Sequence, residues 1–154
     1  METHVELPKP TLNVELLLKV KNHILEEPKR LRMSKWFIKG TPNGHGRSVS
    51  RGYGEPIDFE VPACGTVGCI AGWTELLNHP EDYEGATGIS GVHCGRAKNE
   101  LGLIDQSLFF VDCWPEPYKS DYYQAEDNQT RAQIVGALID KLIEVGEEQL
   151  FGRE

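Results

Sequence analysis

The stretch Cys64-Gly-Thr-Val-Gly-Cys-Ile-Ala-Gly-Trp73 places two thiols, three glycines and a tryptophan within ten residues. A glycine-rich turn followed by apolar residues at helical spacing predicts a helix over 67–77, with Thr66 as its N-terminal cap. The glycines leave room for another backbone, but each destabilises a helix by roughly 1 kcal/mol relative to alanine. Close packing must offset this cost, so we expect the segment to hold the centre of the fold.

The residues that flank this stretch predict two further helices. Apolar residues at every third or fourth position favour an N-terminal helix that Thr11 or Asn13 caps. This helix ends before Pro28, because the residue that precedes a proline disfavours helical geometry. A second helix is predicted over 92–101, with Gly102 as its C-terminal stop.

A longer amphipathic helix is predicted from about residue 128 to Gly146, where Thr130 and Gln133 have the spacing of a capping box. Alternating apolar and acidic residues predict a short strand over 57–61. Glycine and proline place long loops between these elements. The predicted fold is therefore mainly α: a compact bundle of four or five helices with one or two short strands and long Gly-rich loops.

Length and composition indicate one globular domain over residues 1–154, with 1–10 and 147–154 irregular. Hydrophobic residues make up 39% and charged residues 26% of the chain, which is typical of globular proteins. No apolar run approaches the roughly 20 residues that span a bilayer, and the N-terminus lacks a secretory signal pattern. We therefore expect a cytoplasmic protein with reduced cysteines and no membrane partner.

Charge is distributed unevenly along the chain, whose formal net charge is −8. Seven of the 16 basic residues lie between Lys29 and Gly54, a stretch without aspartate or glutamate. The remainder holds nine basic and 24 acidic residues. This asymmetry indicates a local surface that attracts anions. The acidic remainder makes an extended nucleic acid an unfavourable partner, because it would repel duplex phosphates.

Several segments together resemble a group of small uncharacterised proteins that are common in bacteriophages and bacteria. The shared features are a Cys-Gly-Thr-x-x-Cys-x-Ala-Gly core, a leucine-glycine-leucine turn, a short Leu-Phe element and a Met-Ser-x-Trp stretch. In this chain they stand at 64–73, 101–103, 108–109 with 114–115, and 33–36, and the helix predicted around 131–143 is similar as well. The region over which the resemblance extends is roughly two thirds of the chain. The resemblance implies an intracellular accessory protein from a phage or prophage, and it assigns no catalytic residues.

The favoured candidate site is an anion site at the start of the predicted central helix. Free backbone amides at a helix N-terminus bind phosphate or carboxylate, and the preceding loop adds basic side chains. Tyr53 or Trp36 could stack on a base, although neither a Walker loop nor a dinucleotide fingerprint is present. The predicted ligand-binding residues are Lys39, Arg47, Arg51, Tyr53, Gly65, Thr66 and Gly68.

The thiols offer a second kind of site. Four cysteines could supply ligands for zinc, but only one pair is closely spaced, and free cysteines are commonly small buried hydrophobes. The residues concerned are Cys64, Cys69, Cys94 and Cys113. We therefore expect no metal, and these four are the ligands if one binds.

Cys64 is also a candidate nucleophile, because a thiol just before a helix start has a lowered pKa. Its base would be one of His45, His79 and His93, which nothing in the sequence places beside it. A structural thiol near a turn is the favoured interpretation.

These observations favour a non-enzymatic accessory protein, without a cofactor, that binds a small anionic ligand such as a nucleotide or inhibits a host protein. The aromatic residues at 114, 118, 122 and 123 could form a protein-binding surface or cover the core. Association with a second copy of the chain stays open. The alternative function is a thiol- or zinc-dependent hydrolase that uses Cys64 and a histidine.

Overall fold

The protein is mainly α in the computed structural model, which describes residues 11–39, 41–48, 52–84, 88–89 and 94–152. Six α-helices lie in these residues. They are α1 Val14–Glu26, α2 Ile70–Asn78, α3 Cys94–Leu101, α4 Tyr118–Gln124, α5 Asn128–Val145 and α6 Glu147–Phe151. The longest helix, α5, packs against α1, α4 and α6.

Five short strands accompany the helices within the same residues. They are β1 Phe37–Lys39, β2 His45–Arg47, β3 Asp58–Glu60, β4 Thr66–Gly68 and β5 Gly88–Ile89. The strand β1 is the centre of an antiparallel sheet in the order β4-β1-β5, and β2 pairs with β3 in a second sheet. The prediction of one or two strands was too low, because a three-residue strand is too short to show an alternating pattern.

The apolar stripes of α1 and α5 face the hydrophobic core. Their fully or nearly fully buried residues are Leu16, Leu17, Val20, Ile24, Val135, Leu138, Ile139 and Leu142. The indoles of Trp73 and Trp114 join this core, and each N–H donates to a backbone carbonyl, at 2.8 and 2.9 Å. These bonds satisfy the two buried polar groups that the rings bring with them.

The central stretch departs from the prediction at its start. Residues 66–68 are not the first turn of a helix but the strand β4, and α2 begins at Ile70. Cys69 takes the capping position that we expected for Thr66, and its Sγ accepts from the Gly72 amide at 3.3 Å. Pairing with β1 favours the extended form here, because the β-branched residues Thr66 and Val67 suit a strand.

Close backbone packing explains the glycines of this stretch. A Cβ at Gly72 would overlap the carbonyl oxygen of Trp36, and a Cβ at Gly68 would lie 2.7 Å from the same oxygen. The segment before β1 therefore rests directly on β4 and α2. This is the close approach that the small residues indicate.

The observed ends of the other helices agree in part with the caps that the sequence predicts. Asn13 caps α1, and Gly102 follows α3 at a φ of +73° that suits glycine. The cap of α5 is Asp127, whose Oδ1 accepts from the Thr130 amide at 2.7 Å, rather than the predicted Thr130. An aspartate at this position forms the same bond without the capping-box glutamine.

Two segments that we expected to be irregular contain helices. Residues 117–127 include α4, and the tail from 147 includes α6 as far as Phe151. The sequence of α4 shows no stripe of apolar residues at helical spacing, because Tyr122 is the one residue of this helix that is buried. The predicted irregular segment 1–10 and the first residues of the predicted helix at 92–93 lie outside the described residues.

Candidate functional site

The predicted anion-binding amides at 65–68 do not lie at a helix N-terminus. Gly65 occupies a turn at a φ of +77°, and Thr66 to Gly68 pair with β1. Successive amides of a strand point in alternate directions, so those of β4 do not converge on one anion as the amides of a helix N-terminus do. The binding mode that the sequence suggested is therefore absent from this segment.

The predicted cations do not converge on Thr66. Lys39 lies opposite Thr66 in the β1–β4 register. Arg47 lies on β2 with 79% of its side chain exposed, and its Nε is 3.8 Å from Asp58 Oδ1. Arg51 lies outside the described residues. Of the predicted basic residues, only Lys39 accompanies Thr66.

Lys39 and Thr66 line a cavity of about 530 Å³, which we call the large cavity. Its walls are mostly apolar, from Trp73, Leu76, Pro80 and Tyr83. Two acidic residues, at 81 and 84, also line it, so its carboxylates outnumber the single lysine. A volume of this size suits a small molecule, but the balance of charge opposes an anion.

Cys64 and His23 also line the large cavity. The Cys64 thiol is exposed and its Sγ is 3.7 Å from the Thr66 carbonyl oxygen. The Nη1 of Arg30 lies 3.1 Å from His23 Nδ1, and arginine can only donate. Because Nδ1 accepts this bond, Nε2 of the neutral ring carries the proton. Burial, and then the charge of Arg30, lower the pKa of His23.

This tautomer leaves His23 without a free lone pair to act as the base for Cys64. The three histidines that the sequence suggested are placed as follows. His45 is exposed on β2, His79 is hydrogen-bonded to Glu100 at 2.6 Å, and His93 lies outside the described residues. No described histidine is thus shown in the position of a catalytic base for this thiol.

The structure does not gather the four cysteines into one of the ligand clusters found among the described residues. Within the described residues, the groups of three ligands that lie within 4.8 Å of one another contain no cysteine. Cys69 is buried, and burial raises its pKa to about 12, which disfavours the thiolate that zinc requires. Cys64 and Cys113 are exposed.

A second cavity, of about 300 Å³, has a different character, and we call it the aromatic pocket. The rings of Trp36, Tyr53 and Phe110 line it together with Ser34 and Lys35. The Trp36 and Phe110 rings meet edge to face, with centroids 6.0 Å apart. The structure thus brings together the two rings that the sequence proposed for stacking.

A buried carboxylate fixes the segment that carries this pocket. Glu55 is 1% exposed, and its two oxygens accept from the amides of Met33 and Ser34, at 2.6 and 3.1 Å. The Tyr122 hydroxyl also donates to it, and the guanidinium of the buried Arg32 lies 4.0 Å away. These bonds place the chain just before Lys35 and Trp36.

Tyr53 adopts a backbone conformation that is rare for a residue with a side chain. Its φ is +54° and its ψ is 31°. Such conformations cost on the order of 1–3 kcal/mol and cluster at functional sites. The neighbouring glycines pack tightly, since a Cβ at Gly52 would overlap Ser34 and one at Gly54 would overlap the Tyr123 carbonyl. Tight packing on both sides holds the Tyr53 ring at the pocket.

Among the residues that the structure describes, the polar side chains of the aromatic pocket are donors for which no acceptor is seen. Lys35 forms no ion pair within the described residues, and the pocket lining holds no carboxylate. The Ser34 hydroxyl is buried without a hydrogen-bond partner. Burial and the nearby Asp112, which accepts from the Tyr123 hydroxyl, raise the pKa of Tyr53, so its hydroxyl stays a donor.

The aromatic residues that we considered for protein binding mostly cover the core. Trp114 is 3% exposed and Tyr122 is fully buried, and their rings meet edge to face at 5.4 Å. Tyr123 is 39% exposed, but its ring packs against Tyr53. The covering role of these rings is therefore the one that the packing supports.

The sequence pointed to Tyr53 and Trp36 but missed Ser34, Lys35 and Phe110. Lys35 belongs to the basic stretch from Lys29 to Gly54, so its charge was visible. Its neighbourhood was not, because Phe110 is distant in sequence and approaches only in the folded chain.

Comparison with protein-family models, with curated proteins and with solved structures gives no match. Within the part of the chain that is described, every helix is too short or too polar to cross a bilayer.

Proposed function

We propose that the protein binds a small planar anion, of the nucleotide class, in the aromatic pocket and does not transform it. The observation that carries this proposal is the lining itself. The rings of Trp36, Tyr53 and Phe110 line a space that, among the described residues, holds the Lys35 ammonium without an ion pair and no carboxylate. Stacking recognises the base, and the charge of Lys35 attracts the phosphate.

Size and polarity support this choice. About 300 Å³ is at the lower end of the range for small-molecule sites, which fits a mononucleotide better than a dinucleotide. The unpartnered Ser34 hydroxyl and the Tyr53 hydroxyl can both donate to a ligand oxygen. A ligand with acceptors would therefore remove the cost of the buried hydroxyl.

The setting of this function rests on the sequence resemblance. A phage-encoded accessory protein that acts in the host cytoplasm would sequester a signalling nucleotide or present it to a host protein. Inhibition of a host protein without a nucleotide is the second form of the same accessory role. Either form agrees with the presence of a binding pocket and with the described histidines, none of which is placed as a base for the exposed Cys64 thiol.

Isothermal titration calorimetry with a mononucleotide, the matching nucleoside and ribose 5-phosphate tests the proposal. We expect the nucleotide to bind most tightly, because only it supplies both the ring and the phosphate. Replacing Trp36 by leucine should weaken nucleotide binding about tenfold, since stacking contributes about 1–3 kcal/mol per base. Binding of ribose 5-phosphate should stay within twofold.

The Tyr53→Phe variant keeps the ring and loses only the hydroxyl. We expect nucleotide binding to weaken about threefold, which corresponds to the loss of one neutral hydrogen bond. Circular dichroism of each variant verifies folding. Equal binding of all three ligands, or none, would exclude a nucleotide site here.

The alternative hydrolase has one observation in its favour, the shared position of Cys64 and His23 in the large cavity. It predicts that a thiol ester is cleaved by the protein and not by the Cys64→Ser variant. We expect no difference between the two proteins, because the His23 tautomer offers no base to the thiol.

A further inference from the structure

A cluster of metal-binding side chains joins α2 to α3, away from the residues of the aromatic pocket. Glu75 lies on α2, and His79, four residues later, is the C-cap of this helix, where its amide donates to the Glu75 carbonyl at 2.7 Å. Glu100 approaches them from α3. One ligand atom from each of the three lies within 4.8 Å of the others, and His79 Nε2 is 2.6 Å from Glu100 Oε2.

Among the described residues, each of the two carboxylates has an oxygen with unused acceptor capacity, although the Glu100 side chain as a whole is 26% exposed. The Glu75 side chain is fully buried, and its Oε2 receives only a 3.2 Å contact from Arg96 Nε. The Oε1 of Glu100 is buried and has no hydrogen-bond partner. A buried acceptor without a partner is unfavourable, so these oxygens are suited to a ligand that the protein itself does not supply.

The charge of the cluster favours a cation. Four carboxylates lie around His79, those of Glu75, Glu81, Asp82 and Glu100. Within the described residues, the one cationic side chain that contacts them is Arg96, which pairs with Glu75 at 2.6 Å and Asp82 at 2.7 Å. The C-terminus of α2 adds the negative end of a helix dipole, because His79 is its C-cap.

The geometry points to a site for one divalent transition-metal ion, with Glu75, His79 and Glu100 as its ligands. An imidazole with two carboxylates matches zinc with a fourth position left for water. The metal would take the place of the hydrogen bond between His79 and Glu100. The bonds from Tyr83, at 2.7 Å, and Arg96 to Glu75 Oε1 hold that carboxylate in orientation, as outer partners of metal ligands do.

Titration of the metal-free protein with cobalt(II) and then zinc tests this inference. We expect one cobalt ion per chain, with visible d–d absorption but without the near-ultraviolet band of a thiolate ligand. Calorimetry should give zinc binding that is at least tenfold weaker in the Glu100→Gln variant and in the His79→Ala variant. The matched controls, Glu144→Gln and His45→Ala, carry exposed changes and should bind within twofold of the original protein.

Circular dichroism of the metal-free variants separates loss of the site from loss of the fold, and Glu100→Gln preserves the size of the side chain. A thiolate band that disappears in Cys64→Ser would assign the metal to the cysteines and overturn the inference. Absence of binding, or equal binding by Glu100→Gln and the controls, would overturn it as well. Because none of these residues lines the aromatic pocket, neither result bears on nucleotide binding.

Discussion

The aromatic pocket and the large cavity lie in the same small protein and would select opposite ligands. The large cavity has the greater volume, about 530 against 300 Å³. Its single lysine is outnumbered by Glu81 and Glu84, whereas Lys35 of the aromatic pocket faces no carboxylate in the lining. The volume therefore favours the large cavity as a ligand site, whereas the charge favours the aromatic pocket. For an anionic ligand, the charge is the deciding property.

The two cavities also differ in how firmly their walls are fixed. The buried Glu55 holds the backbone before Lys35, and tight glycine contacts hold Tyr53 in an unfavourable conformation. Exposed side chains such as Glu81 contribute to the large cavity. A pre-organised wall loses less conformational entropy when a ligand binds, which is a second reason to place the ligand in the aromatic pocket.

The largest expected effect comes from the contact that joins the two regions. Gly72→Ala would drive a methyl group into the carbonyl of Trp36, and we expect a loss of about 3 kcal/mol or a failure to fold. Gly95→Ala is the matched control, since its Cβ would meet nothing within 4 Å. The control should be as stable as the original or up to about 1 kcal/mol more stable. Urea denaturation measures both, and equal stability would contradict the packing described.

A smaller loss is expected at the support of the aromatic pocket. Glu55→Gln removes the charge that faces the buried Arg32. Breaking a buried ion pair costs about 3 kcal/mol, and we expect a slightly smaller loss of stability because the glutamine side chain keeps one acceptor oxygen. It should also weaken nucleotide binding, because the Met33 and Ser34 amides bond to different oxygens of Glu55 and one of them loses its acceptor. Glu60→Gln, at an exposed position, should change neither unfolding nor binding. Stability unchanged in Glu55→Gln would show that the pocket wall does not depend on this carboxylate.

The smallest effect concerns pH at the wall of the large cavity. The pKa of His23 is lowered in the folded protein from the ordinary value of 6.5, so the unfolded chain binds more protons just below that pH. Stability should therefore fall as the pH drops from 6.5 toward the folded pKa. His23→Gln should flatten this part of the profile, and His45→Gln should leave it unchanged. Thermal denaturation across pH 5–8 measures it, and a profile insensitive to His23→Gln would contradict its burial.

Helices were predictable from the sequence where one face is continuously apolar. The buried residues of α1 and α5 recur every three or four positions, so their periodicity was sufficient. The strand β4 and helix α4 were missed for different reasons. Three residues cannot display a period, and α4 buries a single tyrosine. Such elements are determined by their tertiary partners, which a local pattern does not contain.

The sequence predicted the kind of ligand chemistry at the candidate site but not the position of the site. A basic stretch and two aromatic residues indicated an anion and a stacked ring, but the helix N-terminus that was to bind the phosphate is a strand. Phe110 completes the pocket lining, and Glu55 supports the backbone before it, from distant parts of the chain. Their contribution depends on the register of the fold, for which one sequence offers no signal.

Charge reversal at the two lysines tests the central claim most directly. Lys35→Glu and Lys39→Glu make the same change to net charge, one in the aromatic pocket and one in the large cavity. Calorimetry with a mononucleotide should show binding at least tenfold weaker in Lys35→Glu, and within twofold of the original in Lys39→Glu. Equal losses in the two variants would show that net charge, and not the position of either lysine, determines binding. A loss confined to Lys39→Glu would place the anion in the large cavity and contradict our account.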